Sequence, residues 1–184
     1  MALTRIVSRG ITDSTITGDD INSTFNLTGK TVTLPAGVGG KVLQVVSTTK
    51  TDTFTCASTF TDITGFSVSI APSSASNKIL IIANIQCAGV NDGKLKLLRN
   101  STDICIGDAS GSRTRITVGV RREQYETGSS SFNFLDSPNT TSSITYKVQA
   151  VATGTFYFNR EIDDANDGFS NRTASTITAI EIAG

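Results

Sequence analysis

The chain has no histidine and no tryptophan, and only three cysteines and three prolines in 184 residues. Without histidine the commonest general base is missing, and with it the Ser-His-Asp and Cys-His pairs and nearly every transition-metal site. Without tryptophan the commonest stacking surface for carbohydrate is missing, so Tyr125, Tyr146, Tyr157 and the nine phenylalanines read better as core or interface residues. Charge is scarce as well. Charged residues make up 17%, and sixteen acidic against sixteen basic side chains leave no overall field toward nucleic acid or anionic lipid. The longest apolar run, "ILIIANI" at 79–85, is far short of a membrane-spanning helix, and "MALTRIVSRGITD" has no unbroken apolar stretch of signal-peptide length. The expectation is a soluble product that folds in a cytoplasm, with no membrane insertion. In that compartment Cys56, Cys87 and Cys105, odd in number and widely spaced, are expected as buried thiols.

What is abundant is Thr, Ser, Val and Ile. β-Branched side chains fit a pleated surface better than a helix, so the chain reads as all-β. From residue 41 onward, short strand candidates alternate with turn signals at the spacing of a sandwich or barrel. "KVLQVVSTT" and "DTFTC" flank a turn near Lys50. "GFSVSIAP" sets Phe66, Val68 and Ile70 on one face, and "NKILIIANIQCAG" is apolar enough for a central strand. "VNDGK" reads as a tight hairpin turn whose Gly93 takes a positive φ. "KLKLLRNSTDICIGD" supplies a return strand and the next. "TRITVGVRR" places Ile116, Val118 and Val120 on one face with Arg113 and Arg115 opposite, and "SSSFNFLDSP" pairs Phe132 with Phe134. "SITYKVQAVA" alternates Ile144, Tyr146, Val148 and Ala150 with polar residues, and "GTFYFNR" and "STITAIEIAG" complete about ten strands. The expected architecture is an antiparallel β-sandwich, jelly-roll-like, over 41–184, preceded by an extended segment over 1–40 that ends in the glycine-rich "LPAGVGG".

Motifs that could carry chemistry are weak. "REIDDANDGFSN" groups Glu161, Asp163, Asp164 and Asp167, hard oxygen donors that suit Ca²⁺. The calcium-loop spacing fits from neither aspartate, because Ala165 or Gly168 falls on a ligand position. A solvated loop between the last two strands is the favoured reading. "AGVGGK" fails the phosphate-loop spacing, since Val42 follows the lysine. Arg113, Arg115, Arg121 and Arg122 form a basic stretch that reads first as a solvent face and second as a surface contact. No catalytic residue, cofactor or metal is expected.

The first forty residues pose a different problem. Ile6, Ile11, Ile16 and Ile21 recur every fifth residue, with mostly polar residues or Gly between them. Five residues advance a helix by about 500°, and an odd spacing alternates faces in a strand, so neither element buries all four on one side. A pentapeptide-repeat solenoid uses this period but needs small residues two places earlier, where Thr4, Arg9, Ser14 and Asp19 stand. Two readings remain: a chain completed by sister chains or by a socket in a larger assembly, or a disordered tail with incidental isoleucines. The even spacing favours the first, in which Ile6, Ile11, Ile16 and Ile21, with Phe25 and Leu27 in the strand that follows, make attachment or oligomer contacts.

"ALTRIVSRGITDSTITGDDI" resembles the N-terminal segments of bacteriophage tail-fibre and related virion proteins. "GKVLQVVSTTKTDTFT", "LLRNSTDICIGDASGSRTR", "FLDSPNTTSSITYKVQ" and "ASTITAIEIAG" resemble phrases in structural proteins of phages of aquatic bacteria. The resemblance implies a homotrimeric, non-enzymatic virion protein assembled in the host cytoplasm. Residues 1–40 would bind other virion proteins, and the sandwich would project as a short tail fibre that touches a host-surface glycan or protein through loops such as 107–113, 122–130 and 160–172. A head fibre or capsid decoration protein is the alternative. By fold-level analogy the body suits a jelly-roll of the tumour-necrosis-factor type, which trimerises side by side. A depolymerase using Asp163 and Asp164, or a cellular lectin, fits the sequence less well.

Overall fold

The computed structural model describes residues 42–90, 92–120 and 127–184. Ile6, Ile11, Ile16, Ile21, Phe25, Leu27, "AGVGGK", Arg121 and Arg122 lie outside the described residues. The described chain is all-β, with eleven strands in two antiparallel sheets and no helix. They are β1 (Val42–Lys50), β2 (Phe54–Thr55), β3 (Thr61–Ile70), β4 (Lys78–Gly89), β5 (Gly93–Arg99), β6 (Thr102–Ile104), β7 (Val118–Val120), β8 (Gly128–Asp136), β9 (Ile144–Ala152), β10 (Phe156–Phe158) and β11 (Ser175–Ile182).

Three pairs of strands share a row. β1 pairs with β11 and β2 with β10, while β11 and β10 lie end to end along β4. β6 and β7 lie end to end along β5. Counting rows in chain order, the first sheet (sheet I) runs β1/β2, β10/β11, β4, β8, and the second (sheet II) runs β3, β9, β5, β6/β7. The rows therefore stand in the order 1-8-3-6 and 2-7-4-5, the two interleaved Greek keys of a jelly-roll sandwich.

Alternation explains the core. Ile79, Ile81, Ala83, Ile85 and Cys87 of β4 face inward, as do Leu95 and Leu97 of β5 and Ile144, Tyr146, Val148 and Ala150 of β9, all essentially buried. Phe66, Val68 and Ile70 are buried together as their period demands. β4 is central, flanked by β11 and β8. β3 carries a bulge between Asp62 and Ser67, and Gly65 takes it at φ 75°.

The structure corrects several expectations about connections. The turn expected near Lys50 is a break rather than a reversal, past which β1 and β2 continue one another. "VNDGK" is no hairpin either, because β4 belongs to sheet I and β5 to sheet II, and Gly93 is a strand residue paired with Ala152. Gly93 and Gly89 have a packing reason instead. A Cβ on Gly89 would come 2.4 Å from the Phe156 ring and one on Gly93 2.7 Å, so the two glycines make room for a fully buried aromatic where the chain crosses between sheets. "TRITVGVRR" becomes a strand only at Val118, which leaves Arg113 and Arg115 in the preceding loop rather than on a strand face. Residues 128–130 begin β8 rather than closing a loop. All three cysteines are thiols rather than disulfides, yet only Cys87 is buried. Cys56 and Cys105 are half-buried.

Candidate interaction surface

The strands of sheet I are apolar on both faces at one end. With the buried side chains turned inward, the register sets Val45, Ile180, Leu80 and Leu135 side by side across the outer face, from β1 to β8. The next row outward is Ser47, Thr178, Ile82 and Asn133, and the one after it Thr49, Thr176, Asn84 and Ser131. Five of the seven large apolar side chains exposed among the described residues, Val42, Leu43, Val45, Ile82 and Leu135, belong to this sheet, so the exposure is concentrated rather than scattered. Lys78 is the one charged side chain at the outward positions of β1, β11, β4 and β8. The remainder are hydroxyls and amides, partly joined to one another: Ser47 Oγ meets Thr178 Oγ1 at 2.8 Å, and Ser129 Oγ donates to Asn84 Oδ1 at 2.8 Å.

Sheet II presents the opposite surface. Lys147 Nζ donates to Asp62 Oδ2 at 2.7 Å and Gln149 Nε2 to Asp62 Oδ1 at 2.8 Å. These two donors, Lys147 first, hold the Asp62 carboxyl below the usual carboxylate range. Lys96 Nζ donates to Asp103 Oδ2 at 2.6 Å and lies 4.4 Å over the ring of Phe60.

Two long excursions leave the sheets, each interrupting a row. The one over 105–117 begins at Cys105, φ 53°, and the one over 159–174 at Asn159, φ 60°. In each, the returning residue supplies a hydroxyl to a backbone N–H that the gap would orphan. Thr117 Oγ1 accepts from Leu97 N at 2.8 Å, and Ser175 Oγ accepts from Gln86 N at 2.9 Å. Asn159, fully buried, ties the second gap shut. Its Nδ2 donates to Lys50 O and Asp52 O, the carbonyls at the β1–β2 break, and its Oδ1 accepts from Ser175 Oγ at 2.6 Å.

The acidic residues sit in the second excursion, and three of them are held by partners within it. Asp164 pairs with Arg160 at 3.2 Å and Arg172 at 2.6 Å, and Glu161 accepts from Asn171. Asp167 accepts the N–H groups of Phe169 and Ser170, which draw its carboxyl below the usual range. Arg160 lies 3.6 Å over the Tyr157 ring. No group of three or more metal-ligating side chains converges among the described residues. The turn that Asp167 builds carries Phe169 at 93% exposure. In the first excursion, exposed Arg113 donates to Ser110 and Arg115 Nε to Gly107 O at 2.6 Å; each arginine braces its own loop.

Sequence reasoning missed two buried carboxylates, Asp136 and Glu181, which flank Ile79 from β8 and β11. Asp136 accepts from Arg99 at 2.9 and 3.0 Å and from the Tyr146 hydroxyl at 2.6 Å. Burial first, and then that carboxylate, raise the pKa of the Tyr146 phenol. Glu181 accepts from Ser73 N, Ser73 Oγ and Asn77 Nδ2 at 2.6–2.7 Å. Burial alone would push its carboxyl up, but these hydrogen bonds outweigh it and hold the pKa down. Both groups are buried and hydrogen-bonded and close one end of the sandwich, a structural duty. The apolar outer face was also missed, though it had a signal: "ILIIA" is apolar at successive positions rather than alternate ones, and "ITAIEIA" sets apolar residues on both faces, the mark of a strand covered on both sides.

No protein-family model matches the chain, and no curated protein sequence matches it.

Proposed function

We propose that this chain is a non-enzymatic structural protein of a virus particle, a homotrimer that attaches through residues 1–40 and projects the sandwich as a short fibre for host-surface adsorption. The observation that carries the reading is the outer face of sheet I. A sandwich already buries its core between its sheets, so apolar residues on an outer face do nothing for the isolated fold. Val45, Ile180, Leu80, Ile82 and Leu135 stand there in a neighbourhood with almost no charge. A surface of that kind is stabilised by covering it. Four rows spaced about 4.8 Å, each eight residues long, offer roughly 500 Å² per copy, so a pair of copies buries about 1,000 Å² there. That is near the lower bound for a stable contact; in a ring this face meets a different patch of the next copy, so every copy makes two such contacts.

The Ser, Thr and Asn side chains beyond the apolar band both donate and accept, so a second copy satisfies them without charged partners. Support for the virion assignment is the family resemblance of the sequence. Two measurements test the reading. Sedimentation of the full-length chain is expected to give a trimer at micromolar concentration, and a monomer there overturns self-association. Antibody-labelled negative-stain images of virions are expected to show label on the tail; label over the head replaces the fibre with a capsid decoration protein, and unlabelled particles overturn the virion assignment.

A further inference from the structure

Phe169 and a cleft on sheet II make a knob and a socket on one chain. The knob is the most exposed large apolar side chain among the described residues, at 93%. It does not hang on a slack loop. Asp164 clamps both stems of the excursion through Arg160 and Arg172, whose backbones also form an isolated β-bridge, and the Asp167 carboxylate fixes the turn at Phe169. A loop whose backbone is already held loses less freedom on binding than a slack one, which is what a contact anchor needs. The socket is a cleft of about 260 Å³ lined by Asp92, Gly93, Lys94, Ile116, Gly119 and Val120. Its size falls below the roughly 300–1,000 Å³ of small-molecule sites and suits one side chain. Two of its lining residues are glycines and two are apolar, leaving a flat, greasy floor. Asp92 and Lys94 supply one charge of each sign.

The surroundings are complementary in charge. The excursion that carries Phe169 holds four acidic residues against two basic, and the one that carries Ile116 holds two basic, exposed Arg113 and Arg115, against one acidic, Asp108. Because Phe169 is almost wholly exposed, it does not occupy the cleft of its own chain. We propose that Phe169 of one copy seats in the β5–β7 cleft of the next, with the acidic excursion lying against the basic one. This rests on the self-associating reading above and names a contact in it. The contact is heterologous: the two partners use different patches, so repeating it closes a ring or extends a filament.

The experiment compares full-length variants by sedimentation. Phe169→Ser removes the knob. Gly119→Leu fills the socket, at a strand position where a Cβ meets only Ile116 Cδ1 at 3.6 Å. Each is expected to weaken association about ten- to a hundredfold, the worth of one buried aromatic. Mixing the two variants decides the geometry. The first keeps its socket and the second its knob, so the mixture is expected to form pairs that neither forms alone. If Phe169→Ser assembles like the wild type while charges on the outer face of sheet I dissociate the trimer, this contact is wrong and self-association stands. If the wild type is itself a monomer, both fall. If each variant dissociates but the mixture forms no pairs, the knob-and-socket pairing is overturned.

Discussion

Sheet I meets its surroundings through Val45, Ile180, Leu80 and Leu135, and sheet II through Lys147, Asp62, Lys96 and Asp103. Both have four rows, both interrupt one row with an excursion, and both mend the gap with a hydroxyl from the returning residue. They differ in what each keeps from water. Sheet II spends its outer positions on ion pairs that solvate well, a surface that can stay wet. Sheet I leaves an apolar band uncovered, and its interruption falls in an internal row, closed by the buried Asn159. Folding alone explains the wet sheet but not the dry one, and that asymmetry can be broken in stages.

The largest effect is expected from charging the dry face. Ile82→Asp with Leu135→Asp adds two carboxylates to an apolar surface while touching nothing in the core. Association is expected to fall at least a hundredfold, since each buried aliphatic side chain is worth about 1.5–3 kcal/mol. The melting temperature of the separated chain should stay near that of the wild type. The matching pair on sheet II, Asp62→Asn with Lys147→Gln, is expected to leave the oligomer unchanged in the same sedimentation run. Equal behaviour of the two pairs would erase the distinction between the faces.

Next comes the mending of the gaps. Asn159→Gly keeps the left-handed backbone comfortable and deletes only the side chain, leaving Lys50 O, Asp52 O and Ser175 Oγ short of a partner. A buried unsatisfied group costs about 1–3 kcal/mol, so the sum is expected at about 3 kcal/mol or more in urea unfolding. Thr117→Val orphans one N–H, that of Leu97, and is expected to cost about 1–2 kcal/mol. The ranking follows from place: an internal row has a neighbour on each side to satisfy, an edge row only one.

How much of this was legible follows from the range over which each signal acts. The faces of 66–70, 79–87 and 144–150 were readable because alternation is a local property of the strand, and the sheet-sandwich class follows from their number. Which sheet a strand joins is decided by partners far along the chain, so "VNDGK" looked like a hairpin though it bridges the sheets. Row-sharing was invisible for the same reason: nothing in "CIGDASGSRTRIT" says that Ile104 and Val118 will lie along one strand. Arg113 and Arg115 were placed by extending a strand pattern into what is an excursion. The two inward carboxylates were hidden by their alternation. Asp136 ends one apolar strand and Glu181 nearly ends another, where burial is ordinarily incomplete, and only the fold brings Arg99, Tyr146, Ser73 and Asn77 to meet them.

Those carboxylates give the comparison a pH axis. Glu181 has its pKa held down in the folded state, so its ionised form adds stability above the ordinary carboxylate range, and that stability is lost as pH falls through the lowered value. Glu181→Gln is therefore expected to lower the melting temperature at pH 7, with the gap to wild type narrowing on acidification toward pH 3. A gap that is constant with pH would mean that the charge contributes nothing. Asp62 is shifted in the same direction but is half exposed, so Asp62→Asn should show a shallower version of the same trend.

The smallest expected effect belongs to the wet face itself. Lys147 and Asp62 meet at 2.7 Å with the carboxylate 49% exposed, and an ion pair in that setting is worth about 0.2–1 kcal/mol. Lys147→Ala should cost no more than that at low salt and less in 1 M salt, where the screening length shrinks to about 3 Å. The value of so small a measurement lies in its salt dependence. Solvent-exposed attraction fades with salt, whereas apolar association survives it or strengthens when the salt is of the excluded kind, such as sulfate. Raising sulfate is thus expected to tighten the proposed trimer while weakening the Lys147–Asp62 pair. A trimer that instead falls apart as salt rises would be held by charge, and the dry face of sheet I would lose its claim to be the seam.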